Sequence, residues 1–189
     1  KEFNMEKVVD NFRKLQKADF TKYLSQPDNI MEKYDDYKYS YEKYGLGLID
    51  CPSTFNYCSD AFMNDLRMNC GSYGFKSPIT RWNEGDNIWG AFGPIWRGVN
   101  TEQDLSRETY TMAFRLGTYI ATQFKPIVAK TIYEMSGAKT VLDTSMGWGD
   151  RLTGFYASNA THYIGCDPNP NTFTRYEKMI KFWDGIYDK

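Results

Sequence analysis

The sequence predicts an α/β fold in which a doubly wound parallel sheet opens near Thr140 and follows a mainly helical N-terminal region. Three observations predict it. The short apolar run Thr140-Val141-Leu142 ends in Asp143 and leads into a turn with two glycines, Gly147 and Gly149. A second run, Tyr163-Ile164-Gly165-Cys166, ends in Asp167, close to the roughly 20 residues on at which nucleoside-binding folds place their next acidic residue. Stretches of helical spacing lie between and after the two runs. Strand, helix, strand, helix in this order implies parallel strands with right-handed crossovers.

Taken in order, Val8, Phe12, Leu15 and Phe20 recur at near-helical spacing, and Ile30, Tyr34, Tyr37 and Tyr41 do so after Pro27-Asp28-Asn29. Gly45-Leu46-Gly47 closes the second helix, and Ser59 to Met68 makes a third, short one. From Gly71 to Gly98, glycines and prolines alternate with Tyr73, Phe75, Trp82, Trp89, Phe92 and Trp96, which suits a long ordered loop or irregular strands better than a helix. Thr101-Glu102-Gln103-Asp104 is a helix-start signature for a helix running through Leu105, Met112, Leu116 and Ile120 to about Phe124. After Lys125-Pro126 a further helix reaches Met135 and ends at Ser136-Gly137, with the glycine placed for a left-handed C-cap. Asp150 to Ala157 and Phe173 to Trp183 read as the helices of the parallel unit. The chain divides into a helical and aromatic-loop region, 1–100, and the first part of a cofactor-binding domain, 101–189.

Composition narrows the function classes. With both charge signs mixed to a net of −1, the chain carries no global attraction for nucleic acid, so such a partner would be held by a local patch. No apolar run is long enough to span a membrane and Lys1-Glu2-Phe3-Asn4 opens a charged amphipathic stretch, so an intracellular protein is expected. Cys51, Cys58, Cys70 and Cys166 show no paired C-x-x-C spacing, which favours reduced thiols over a zinc site or disulfides. His162 is the only histidine and reads as a strand-edge residue, so hydrolase triads are poorly supported and no metal is expected. Aromatic residues reach 17%, more than a core of this size needs. Trp82, Trp89 and Trp96 are candidate substrate contacts, either a base-stacking platform or an aromatic interface.

The glycine turn carries the chemistry. Glycines at the carboxyl end of a parallel strand let backbone approach a ligand with no Cβ in the way. A pyrophosphate would be repelled by Asp143 and by Asp150 at the helix start, whereas a cationic cofactor would not. S-adenosylmethionine fits this pattern: Asp143 would hold or orient its amino-acid part and Asp167 its ribose hydroxyls. Plainer readings stand beside this one. Gly147 and Gly149 make an ordinary tight turn, Asp143 caps the next helix, and Asp167-Pro168-Asn169 is a turn starting the last helix.

Lys125-Pro126, Val141-Leu142-Asp143, Gly147-Trp148-Gly149 and Gly165-Cys166-Asp167 together resemble the class I S-adenosylmethionine-dependent methyltransferases, and among them the nucleic-acid amino-methyltransferases. The resemblance covers about a third of the chain, from near Phe124 to Trp183. It implies a Rossmann-like methyltransferase sheet with Lys125 and Pro126 at the methionine end of the cofactor. Asp143, Met146, Gly147, Trp148, Gly149 and Asp150 would form the loop beneath it, Asp167 would bind ribose, and Pro168 and Asn169 would lie near the adenine. Trp148-Gly149-Asp150-Arg151-Leu152 is similar to the viral and phage-like members, which implies a host-cell or cytoplasmic setting and DNA rather than RNA as the nucleic acid. The methyl acceptor implied is adenine N6 or cytosine N4.

The Asp/Asn/Ser-Pro-Pro-aromatic tetrapeptide that holds the target amine in that family does not occur; Ser77-Pro78-Ile79 and Gly93-Pro94-Ile95-Trp96 are the nearest strings. At roughly 30 residues per βα unit, the residues after Asp143 hold about two strands where a doubly wound sheet needs five or more. The expectation is therefore an N-terminal, cofactor-binding part, with the catalytic residues beyond Lys189 in a C-terminal half or a second chain. Two alternatives remain: a degenerate or truncated methyltransferase-like module acting as a binding or assembly scaffold, and a small-molecule or protein methyltransferase.

Overall fold

A computed structural model of the chain describes residues 2–25, 48–49, 52–84 and 118–187. The chain forms two compact units, one of Lys1–Met63 with Gln123–Lys189 and one of Asn64–Thr122.

In the first unit, helix α1 (Met5–Lys17) begins at Asn4, whose side chain accepts the Lys7 N–H, and it buries Val8, Phe12 and Leu15. It stops short of Phe20, which lies instead in a 3-10 turn, Phe20–Tyr23. Two short strands, β1 (Leu24–Ser25) and β2 (Leu48–Ile49), pair antiparallel, a feature the sequence pattern does not predict in this mainly helical region. The helix expected around Ile30 to Tyr41 lies outside the described residues. Helix α2 (Asn56–Asn69) starts before the expected Ser59.

The second unit contains helix α3 (Pro78–Asn83), which corrects the expectation of loop or strand through this stretch. Ser77 explains it: its hydroxyl caps the Thr80 N–H, and Pro78 occupies the first turn, where a missing N–H costs nothing. A local turn, Ser72 to Phe75, precedes it, with Ser72 and Phe75 exchanging backbone hydrogen bonds. Residues 101–117 of the expected long helix lie outside the described residues, and Thr118–Lys125 is not helical, so that expectation fails over its last turns.

The C-terminal part of the first unit follows the predicted order. Helix α4 (Pro126–Met135), strand β3 (Thr140–Asp143), helix α5 (Asp150–Ala157), strand β4 (His162–Gly165) and helix α6 (Pro170–Asp184) succeed one another. Strands β3 and β4 are parallel, pairing Val141 with Tyr163, Leu142 with Ile164 and Asp143 with Gly165. The fold is thus mixed helix and strand with a parallel βαβα unit. One face of the pair is covered, burying Val141 and Asp143; the other leaves Leu142 69% and Ile164 61% exposed. Helix α5 packs on α4 at Gly154, where an added Cβ would lie 2.6 Å from Ala129 Cβ and 2.7 Å from the Pro126 carbonyl. The core joins α1, α2 and α6: Phe12 stacks on Trp183 at 4.1 Å, Phe62 meets Phe182 at 5.4 Å, and the Cys58 thiol bonds the Val8 carbonyl. Lys130, almost fully buried, donates to the Ala18 carbonyl at 2.8 Å and to Glu134 at 2.7 Å, which ties α4 to the chain just past α1. Among the described residues no helix is long and apolar enough to cross a membrane.

Candidate functional site

The turn between β3 and α5 is built from left-handed glycines and two carboxylates. Gly147 has φ +59° and Gly149 φ +75°, a region that costs an L side chain about 1–2 kcal/mol. They differ in surroundings. A Cβ on Gly147 would meet only the Arg151 guanidinium at 3.8 Å and the Ser145 carbonyl at 3.9 Å, whereas one on Gly149 would strike Met179 at 2.6 Å. Gly147 therefore leaves its outer backbone open, while Gly149 lets α6 close over the turn from within. Met146 is buried beside Gly165 and donates its N–H to the Cys166 carbonyl at 3.0 Å, and Trp148 is half-buried.

Asp167 locks the turn to β4. One carboxylate oxygen accepts the Gly147 N–H at 2.7 Å and the other the Asn169 N–H at 2.9 Å. Asn169 in turn caps α6 by accepting the Asn171 N–H, and Pro168 is exposed between them. The Asp167-Pro168-Asn169 stretch is thus the turn that starts α6, which begins at Pro170, three residues earlier than Phe173 suggested, and it stands directly against the glycine turn. Each Asp167 oxygen still has a lone pair free for a hydroxyl donor.

Asp143 does not cap α5. It is buried, one oxygen accepting the Ser145 N–H at 3.1 Å and the other the Arg151 Nε–H at 2.8 Å and the Tyr163 hydroxyl. Burial, then the hydrogen bond to Asp143 and its negative charge, push the Tyr163 phenol far above its ordinary range. Burial and the same charge push Tyr133 up to about 12. For Arg151 burial works against the charge, but the hydrogen bond and charge of Asp143 outweigh it and hold the guanidinium more firmly protonated. Asp150 is buried at the start of α5, where it accepts from the Ser59 hydroxyl and from Gln123 Nε2.

Lys125 precedes the first turn of α4 and Pro126 is buried within it. The preceding residues run along the start of α5, Gln123 on Asp150 and the Phe124 ring 5.2 Å from the Arg151 guanidinium carbon. The structure therefore gathers Asp143, Met146, Gly147, Trp148, Gly149, Asp150, Asp167, Pro168 and Asn169 at one end of the parallel pair, with the Phe124–Pro126 segment along α5. Trp82 belongs to the other unit, on α3, and is largely exposed; Trp89 and Trp96 lie outside the described residues. Ser59 and Gln123 enter the site from outside the sequence motifs, whereas Arg151 and Tyr163 lie within them but carry no role that the spacing assigns. Among the described residues no group of three or more His, Cys, Asp or Glu side chains is placed to hold a metal ion. Comparison of the chain with family models, with curated proteins and with solved structures gives no match.

Proposed function

We propose that this chain carries the cofactor-binding part of an S-adenosylmethionine-dependent methyltransferase built on a Rossmann-like sheet. The observation that carries the reading is the coupling of the open glycine turn to the second strand through Asp167, which places a carboxylate with free lone pairs beside bare backbone at the carboxyl end of a parallel pair. Asp143 is paired with Arg151, whereas Asp167 accepts from backbone N–H groups, so the turn presents a carboxylate that suits a cationic ligand and opposes a pyrophosphate.

The cofactor fits these residues: Gly147 offers backbone no Cβ obstructs, and Asp167 offers two acceptors to a vicinal diol. S-adenosylmethionine brings an already activated methyl group, so the chain's own residues bind and orient. Asp167 would fix the ribose, and Met146 and Trp148 would flank the turn. A nucleic-acid amino group, adenine N6 or cytosine N4, is the acceptor the family resemblance supports.

Calorimetric titration with S-adenosylmethionine and S-adenosylhomocysteine tests the reading. Binding by the wild-type chain that Asp167→Ala abolishes or weakens at least about tenfold is the expected result; absence of heat with either ligand overturns it. The exposed Leu142 and Ile164 face favours a second reading, a methyltransferase-like module that serves as an assembly scaffold. That reading expects no ligand heat and no difference between wild type and Asp167→Ala.

A further inference from the structure

Among the described residues Arg151 is the cation that pairs with a carboxylate of the glycine turn, and its geometry is more elaborate than neutralising Asp143 requires. Only its Nε binds that carboxylate, at 2.8 Å. Its terminal nitrogens make no hydrogen bond among the described residues, although the side chain is only 25% exposed. The Phe124 ring lies 5.2 Å from the guanidinium carbon, and one terminal nitrogen sits 3.8 Å from where a Cβ of Gly147 would be. The guanidinium is thus anchored at one corner, backed by an aromatic ring, and carries its unspent N–H groups to the rim of the turn. Asp143, by contrast, is buried and already accepts from Ser145, Arg151 and Tyr163.

A planar guanidinium whose terminal N–H pair is free matches a carboxylate in bidentate fashion, which an ammonium does not. Resting on the proposed function, we infer that Arg151, and not Asp143, is the residue that binds the amino-acid end of the cofactor, by gripping its α-carboxylate. Asp143 is then a positioning residue: it holds Arg151 by Nε and, with Tyr163, fixes the plane of the guanidinium. The assignment reverses the expectation that Asp143 itself meets the amino-acid part.

The test compares S-adenosylmethionine with its decarboxylated analogue, which keeps the sulfonium, the amine and the adenosine. Wild type should bind the analogue roughly 10- to 100-fold more weakly, the factor expected for one charge-assisted bidentate contact. Arg151→Gln should bind S-adenosylmethionine as weakly as wild type binds the analogue, and should bind the analogue as wild type does. Arg151→Lys, which keeps the positive charge facing Asp143, should recover only part of the loss. The wild-type comparison needs no substitution and stands whatever the variants' stability. Equal affinity of wild type for the two ligands, or an equal loss for both in Arg151→Gln, overturns the inference and leaves the proposed function intact. Absence of binding to either ligand by wild type overturns both.

Discussion

Glycine does two separate jobs in this chain, and paired substitutions separate them. Gly137 closes α4 at φ +63° with nothing within 4 Å of an added Cβ, so Gly137→Ala should cost only the left-handed strain, about 1–2 kcal/mol. Gly149→Ala adds a contact with Met179 at 2.6 Å, and overpacking of this kind costs about 1–3 kcal/mol more. Urea denaturation of the two variants should therefore give Gly149→Ala the larger loss; equal losses would mean that Met179 swings aside freely. The phenols around Asp143 make a prediction about pH. Tyr133, and Tyr176 for the same first reason of burial, rise from 10.0 to about 12 on folding. A raised folded value favours the neutral phenol, so this stability is fully present below pH 10 and is lost as pH climbs through the folded values. Melting temperature should hold steady below pH 10 with respect to these groups and fall between 10 and 12. Tyr163→Phe should cost about 1.5–3 kcal/mol near neutrality, because it removes a hydrogen bond to a buried carboxylate.

At the scale of the element, β3 and β4 form a sheet with two unlike faces. Val141 packs inward while Leu142, next along, is turned outward beside Ile164. Val141→Ala should cost about 1–3 kcal/mol, and Leu142→Ser should stay within about 0.5 kcal/mol of wild type, both measured by denaturation midpoint. A large loss for Leu142→Ser would show that this face is covered in solution. The boundaries of this unit were readable because local chemistry sets them: Pro126 starts a helix, Gly137 ends one, and Asp143 and Asp167 each follow an apolar run of strand length. Where local signals were misleading, a specific residue overruled the pattern. The Ser77 cap turned a glycine- and proline-rich stretch into α3, and the chain from Thr118 to Lys125 left the helical pattern, with Gln123 and Phe124 engaging Asp150 and Arg151. The glycine turn was legible because its residues adjoin in sequence, whereas Ser59, Gln123 and Tyr163 reach it only through tertiary packing, which no spacing records.

For the molecule as a whole, contacts fall into near and far classes. The glycine turn, Asp143 and Asp167 come from one βαβ stretch, while α1 reaches the rest of its unit through Cys58 on Val8, Phe12 on Trp183 and Lys130 on Ala18. The last of these joins residues 112 apart in sequence, and its ammonium is held as well by Glu134. Closing so long a loop is slow relative to pairing β3 with β4 across a single helix. On that ordering the buried lysine is expected to act as a late latch, formed after the barrier to folding has been crossed. Lys130→Met strands Glu134 without its partner, a loss of about 3 kcal/mol. It should appear almost wholly as faster escape from the native state, about 100-fold in the unfolding arm of a stopped-flow chevron, with the refolding arm nearly superimposed on wild type. A matching slowdown of refolding would instead put the N-terminal helix in the nucleus. If the latch is late, the parallel unit with its glycine turn is the first part of the chain to become native and the last to be given up.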